Sequence, residues 1–207
     1  FIACGLAEDG VIEYKEHQID FKQPWKRIRF YDAIEEWTGK NFRGMNEADT
    51  VAAALALDVA VDKDTPIPLV LDEVFGERVE PHLISPTFVY DYPKALSPLA
   101  KDHRSEEGLV ERFEPFIGGF EVGNAFSELN DPIEQRKRFE QQAELRARGD
   151  EGAQVLDEDY IRALEYGMPP AAGLGMGIDR LAMIFTNSAS IRDVLFFPHM
   201  RPEEGLG

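Results

Sequence analysis

The chain has 207 residues, 43% of them hydrophobic and 29% charged, proportions of a globular protein that buries a core in one domain or a large part of one. Its net charge of -17, from 22 basic against 39 acidic residues, excludes a bulk electrostatic grip on nucleic acid, so any RNA contact needs a local basic surface or a region outside the chain. A single cysteine, Cys4, excludes an internal disulfide and fits a reducing cytoplasm, and neither a membrane-length apolar run nor a signal peptide is present.

The chain opens Phe1-Ile2-Ala3-Cys4, without an initiator Met and directly in strand-like sequence, which reads as a fragment of a longer protein. Phe1 to Ala7 and Val11 to Tyr14 read as strands joined through Asp9-Gly10, a hairpin signal. Pro24 to Ile28 reads as another strand, followed by a short helix from Asp32 to Thr38 closed by Gly39. Asn46 is placed to cap an alanine-rich helix from Glu47 to Val61, and a second helix is expected over Ile67 to Phe75. Thr87 to Tyr92, β-branched and aromatic between prolines, reads as a strand, and Ala95 to Gly108 as loop.

Val110 to Phe116 and Phe120 to Phe126 flank Gly118-Gly119, the signature of a two-residue hairpin turn. Asp131 caps a helix with Pro132 at its first position, running to Arg148; a further helix covers Asp157 to Tyr166 and stops at Gly167. Gly173 to Gly177 is expected to open the last helix, which runs to Thr186 with Ile178, Leu181, Ala182 and Phe185 as its core face. Strands linked mostly by hairpins with helices between them favour an α+β fold around an antiparallel sheet flanked by helices.

Two stretches carry chemistry. With Gly118-Gly119 as the turn, Phe116 pairs with Glu121, which makes Glu114 and Glu121 diagonal neighbours on one face. Two carboxylates so close repel unless a cation or proton intervenes, and an oxygen-only ligand pair suits Mg²⁺, whose remaining ligands are waters and phosphates. The same pattern also fits a solvated acidic hairpin face. Asn124, Phe126 and Glu128 have the opposite parity, so a regular strand would turn them away; a bulge at Gly123 would bring them to the same cavity. The second stretch is GLGMGIDR, where glycines let backbone approach a ligand and Arg180 can stack on a base or pair with phosphate. A structural ion pair of Arg180 with Asp179 or a nearby Glu is the alternative, and G-x-G-x-G without a βαβ unit argues against a Rossmann site.

The chain resembles the C-terminal part of the catalytic domain of class II lysyl-tRNA synthetases. The likeness lies in Ile19-Asp20-Phe21 with Pro24-Trp25, Pro86-Thr87-Phe88-Val89, Asp91-Tyr92-Pro93, Ser97 to Lys101, and Glu111-Arg112-Phe113-Glu114. It continues through GFEVGNAFSELNDP, Ala163 to Pro170 and GLGMGIDR, and is least over Glu47 to Val79. The resemblance implies Glu114 and Glu121 as metal carboxylates and Arg180 as the motif 3 arginine over adenine. It implies Gly175 and Gly177 as glycines bordering the nucleotide and amino-acid pockets, and Asn124, Phe126 and Glu128 as the lysine pocket, with Glu128 facing the ammonium. Arg180 and Glu121 would be the residues in contact with reacting phosphate and its cation.

The implied activity is ATP- and Mg²⁺-dependent activation of L-lysine and its transfer to tRNA(Lys) by a cytoplasmic, homodimeric parent. Motif 1, motif 2 and the anticodon-binding barrel of that family are absent from the 207 residues, so the chain alone would be weakly active or inactive. A paralogue that lysylates a translation factor is one alternative, disfavoured because such paralogues carry alanine where Gly175 stands; aspartyl and asparaginyl relatives would not place Glu128 in this context. A non-catalytic lysine- or nucleotide-binding module is the other. The basic residues between Asp131 and Arg148 offer a possible approach to RNA, with a solvated helix face as the alternative.

Overall fold

The computed structural model describes residues 5, 9–22, 24–147 and 152–199. Apart from Gly5, the expected strand Phe1 to Ala7 falls outside them, as do Arg148 and Gly149. Among the described residues a two-stranded ribbon, β1 (Val11–Tyr14) with β2 (His17–Asp20), packs beside a larger sheet. That sheet runs β3 (Lys26–Arg29), β4 (Thr87–Pro93), β5 (Leu109–Ile117), β7 (Gly123–Ser127) and β8 (Ala172–Met176), with the short β6 (Phe120–Glu121) also on β5. Only β3 and β4 pair in parallel among its described strands; the other neighbours are antiparallel.

Helices α1 (Phe30–Thr38), α2 (Glu47–Leu55) and α3 (Ile67–Arg78) bury their apolar sides against the face of β4 and β5 that carries Val89, Val110 and Phe116. Phe30 stacks on Phe75 at 4.9 Å between ring centroids, and Phe75 meets Phe116 at 5.6 Å. Truncating any of these buried rings costs about 3–5 kcal/mol. Helix α4 (Pro132–Ala147) starts where Asp131 Oδ1 accepts from the N–H of Ile133 at 2.9 Å, and α5 (Glu158–Glu165) where Asp157 accepts from Tyr160. Helix α6 (Ile178–Thr186) joins a second, smaller core in which Ile184 meets Tyr14, Ile19, Ile117 and Val122.

Several expectations need correction. Val11–Tyr14 pairs with His17–Asp20, closed by a turn at Lys15, whose φ is 53°, while the expected hairpin with Phe1 to Ala7 lies outside the described residues. Nothing in Lys15-Glu16 signals a turn by residue type, whereas Asp9-Gly10 does. The alanine-rich helix stops at Leu55, well short of Val61, because Asp58 takes a left-handed φ of 56° and the Val59 N–H returns to the Ala54 carbonyl. Gly173 to Met176 is strand and not the start of a helix; Gly177 is the N-cap. Ile178 is not core but 68% exposed, since the first turn of α6 lies at the open edge of β8. The arginines of α4 are committed within the protein: Arg136 pairs with Glu158, and buried Arg138 with Glu134, Asp102 and the Ala100 carbonyl.

Two register slips shape the sheet. Tyr90 faces Phe113 but Tyr92 faces Val110, a bulge in which Asp91, with φ 57°, stands opposite two residues of β5, Glu111 and Arg112; its carboxylate lies 3.1 Å from Arg29 Nε and 3.6 Å from His103 Nε2. The second slip falls between β6 and β7. Phe116 faces Glu121, as the Gly118-Gly119 turn requires, yet Arg112 faces Phe126; Val122, left between the two strands, donates its N–H to Pro115 O at 2.8 Å. This is the expected bulge beside Gly123, and it turns Asn124 and Phe126 onto the face of Arg112 and Glu114.

Candidate active site

A cavity of about 340 Å³ opens between the hairpin, α3 and the first turn of α6, lined among others by Asp72, Glu80, Tyr92, Glu114, Glu121 and Arg180. Glu114 lies on its floor, buried, and both its oxygens are engaged. Arg112 Nη2 donates to Oε1, and the Tyr92 hydroxyl, which the first bulge turns to this face, donates to Oε2 at 2.6 Å. A carboxylate oxygen carries two lone pairs, so each can still accept a second partner.

Glu121 stands nearer the mouth with its side chain 35% exposed, and Arg180 reaches it from α6. Arg180 Nη1 donates to the Glu121 carbonyl at 2.7 Å and lies 3.5 Å from its carboxylate. Burial raises the Glu121 pKa above the ordinary carboxylate value, the negative charge of Glu114 raises it further, and Arg180 and Arg112 offset part of this. Glu80 is raised in the same way, first by burial and then by Glu114 and Glu121, with Arg180 opposing. The cavity therefore holds carboxylates in excess of its cations. Arg180 thus makes the ion pair with a nearby glutamate that the alternative reading expected, and it lines the cavity as well.

Of the residues singled out from sequence, Glu114, Glu121 and Arg180 meet in this cavity. Asn124, Phe126, Glu128, Gly175 and Gly177 do not line it; they extend from it along β7 and β8. Asn124 faces Gly175 in the β7–β8 ladder, and its Oδ1 accepts from Arg112 Nε at 3.1 Å, which ties it to the cavity floor. Phe126 faces Gly173 and packs partly on the main core. Glu128 follows β7, and burial alone raises its pKa. Its carboxylate occupies the space a Cβ at Gly173 would fill, so a side chain there would push the carboxylate aside without straining the backbone. Gly177 donates its N–H to Val122 O at 3.0 Å and so fixes the start of α6 against the bulge.

Sequence reasoning gave no role to Arg112, Tyr92 or Glu80. Arg112 lies two residues before Glu114 on the same strand face, a signal present in the sequence. Tyr92 reaches this face only through the Asp91 bulge, and Glu80 comes from a short 3₁₀ turn, Glu80–His82, with no pattern to betray it.

A second acidic group, Asp91, His103 and Glu106, has ligand atoms within 4.8 Å of one another. It does not fit a metal. Arg29 already pairs with both carboxylates, and His103 Nδ1 accepts from the N–H groups of Ser105 and Glu106 at 3.2 and 3.0 Å. That leaves Nε2 of the neutral ring protonated and turned to Asp91. No helix among the described residues is long and apolar enough to cross a membrane.

Comparison with known proteins follows the same lines. The family described as tRNA synthetases class II (D, K and N) matches residues 5–201. A lysine–tRNA ligase of Christiangramia forsetii is 49% identical over 203 residues, 97% of this chain and 36% of the relative. One from Nostoc punctiforme is 53% identical over 195 residues, 93% of this chain and 35% of the relative. One from Moorella thermoacetica is 50% identical over 205 residues, 99% of this chain and 42% of the relative. The chain thus spans well under half the length of these curated relatives. From the matched span and these identities, the chain belongs to the class II tRNA synthetases of the D, K and N group.

Proposed function

We propose that the chain is the C-terminal part of the catalytic domain of a lysine–tRNA ligase, contributing the metal carboxylates, the motif 3 arginine and part of the lysine pocket. The observation that carries this reading is the meeting of Glu114, Glu121 and Arg180 in one cavity, 59 residues of chain apart between Glu121 and Arg180. The donor set fits Mg²⁺: carboxylate oxygens are offered, and Glu121 is raised first by burial and then by the charge of Glu114, both of which a divalent cation would offset. Glu114 and Glu121 would hold the ion, which when bound with nucleotide supplies neutralisation of phosphate charge.

Arg180 gives up part of its contact with Glu121 to lie over the nucleotide. Gly175 and Gly177 leave backbone space beside it. Glu128 faces the ammonium of lysine; its desolvated carboxylate gains a partner when that cation arrives, and a methionine or leucine side chain leaves it without one. Lysine's carboxylate is already a nucleophile at neutral pH, so attack on the α-phosphorus of ATP, with release of pyrophosphate, needs no general base. The protein's work is positioning and charge stabilisation. Transfer to tRNA(Lys), a homodimeric state and a cytoplasmic location are proposed for the whole protein. The 207 residues alone bind ligands and turn over little, since the relatives are more than twice as long.

The test is lysine-dependent ATP–pyrophosphate exchange in a protein of the relatives' length carrying this sequence, with and without Glu128→Gln. Exchange is expected with lysine and is expected to fall at least about tenfold in the variant, while ATP binding persists. Lysine affinity equal in the variant and the parent would refute the role of Glu128, and absence of exchange in the parent would refute the reading as a whole.

A further inference from the structure

The Arg112 guanidinium sits at the junction of the two subsites and spends its donors on both. Its Nε donates to Asn124 Oδ1 at 3.1 Å and its Nη2 to Glu114 Oε1. Its Nη1 is fixed from behind by the Leu96 carbonyl at 3.0 Å and the Ser97 hydroxyl at 2.9 Å, and its Cζ lies 4.6 Å from the Tyr92 ring centroid. Four of its five N–H groups are engaged, so the fork has one orientation.

The consequence falls on Asn124. A free asparagine amide presents either its oxygen or its NH₂ to a ligand at similar cost, and the two choices recognise opposite chemistry. Here a charged donor holds Oδ1, which fixes the orientation of the amide and leaves its NH₂ as the group turned away from the guanidinium. We propose that Arg112 is the positioning residue of the amino-acid subsite, setting Asn124 as a hydrogen-bond donor toward a ligand acceptor. The inference rests on Asn124 belonging to the lysine pocket. Lysine at position 112 keeps a charge for Glu114, but a single flexible ammonium cannot reach Glu114, Ser97 and Asn124 together.

A double-mutant cycle tests this, with L-lysine affinity of the chain measured by calorimetry in the parent, Arg112→Lys, Asn124→Ala and the double variant. Each single change is expected to weaken lysine binding about fivefold or more, and the double variant to bind no more weakly than Asn124→Ala alone. A merely structural arginine would instead give losses that multiply, and that result overturns the proposal, as does parental affinity in Arg112→Lys. Should Arg112→Lys fail to fold, Arg112→Gln, which keeps an amide donor, enters the same cycle. If the parent binds lysine but Asn124→Ala binds equally well, the assignment of Asn124 to the pocket fails, and the proposal with it. If Asn124→Ala weakens binding and Arg112 variants do not, the pocket stands and only the role of Arg112 is lost.

Discussion

Gly123 is the position where one methyl group has the most to disturb. Its φ is not in the left-handed region, so alanine meets no backbone strain there. The obstacle is space. A Cβ on Gly123 would lie 2.9 Å from the Gly175 carbonyl oxygen and 3.2 Å from Pro115 Cγ, and the first of these is backbone in the neighbouring strand. Strand β8 must move outward by several tenths of an ångström, or the bulge must flatten. Overpacking of this kind costs about 1–3 kcal/mol, against which loss of glycine's unfolded-state freedom returns about 0.5–1 kcal/mol. A net loss of about 1–2 kcal/mol is expected for Gly123→Ala.

The same movement has a functional side. Gly177 N–H is bonded to Val122 O at 3.0 Å, and Arg180 reaches Glu121 from the turn that follows. Urea unfolding followed by circular dichroism reads the stability; with a slope of about 2–3 kcal/mol per molar, the midpoint should fall by roughly 0.3–1 M. Nucleotide affinity, read in parallel, should fall with it. An unchanged midpoint would refute the claim that β7 and β8 are packed to contact at Gly123, and with it the reason a glycine stands in the bulge.

Three further outcomes are expected. Gly173→Ala displaces only the end of a flexible side chain, the Glu128 carboxylate, so stability should move by less than about 1 kcal/mol while lysine affinity falls about tenfold; calorimetry with unchanged affinity would reject the link. Glu121→Gln should stabilise the ligand-free chain at neutral pH by a few tenths to about 1 kcal/mol, a figure discounted because the side chain is 35% exposed, and should abolish Mn²⁺ binding. The sign follows from the raised pKa: the folded state binds the Glu121 proton more tightly than the unfolded chain does, so the parent loses stability as pH rises through that range and the variant does not. Arg180→Ala should weaken ATP binding about tenfold and push the Glu121 pKa further up, since Arg180 opposes its rise; an NMR titration in which Glu121 does not move would count against the pairing.

The hairpin was legible because its signals agree at several levels. Gly118-Gly119 sets the turn, the turn sets the register, and the parity conflict between Glu121 and Asn124 demands the bulge that the strands contain. Strand β8 was not legible, since Ala172-Gly173-Leu174-Gly175-Met176 has little intrinsic strand preference and is extended because β7 holds it as a sheet neighbour. The pairing of Val11–Tyr14 with His17–Asp20 was hidden for a related reason: Lys15-Glu16 carries no turn signal by residue type, and tertiary contacts place Ile19 in the smaller core. Left-handed Asp58 and Asp91 are the same kind of miss, because aspartate tolerates that conformation without announcing it. Of the site, the charged residues Glu114, Glu121 and Arg180 that meet in the cavity were visible, and the ones that hold them in place were not.

The carboxylates themselves separate into those the fold satisfies and those it leaves short. Glu111, one residue before Arg112 on the opposite face of β5, is held at a pKa of about 2 by Arg104, with Ser127 as a second donor. Glu106 is lowered by Arg29, Glu134 by Lys94 and Arg138, and Glu158 by Arg136. Glu80, Glu121 and Glu128 move the other way, each with burial as the largest cause. Asp91 is raised as well, but Arg29 and His103 attend it and it serves the bulge. A chain with a net charge of -17 has no shortage of places to put acids in water. Keeping Glu80 and Glu128 half-buried, and Glu121 with only a partial share of Arg180, opposes folding in the free protein; under the proposed function, a divalent ion at Glu121 and an ammonium group at Glu128 would offset that cost.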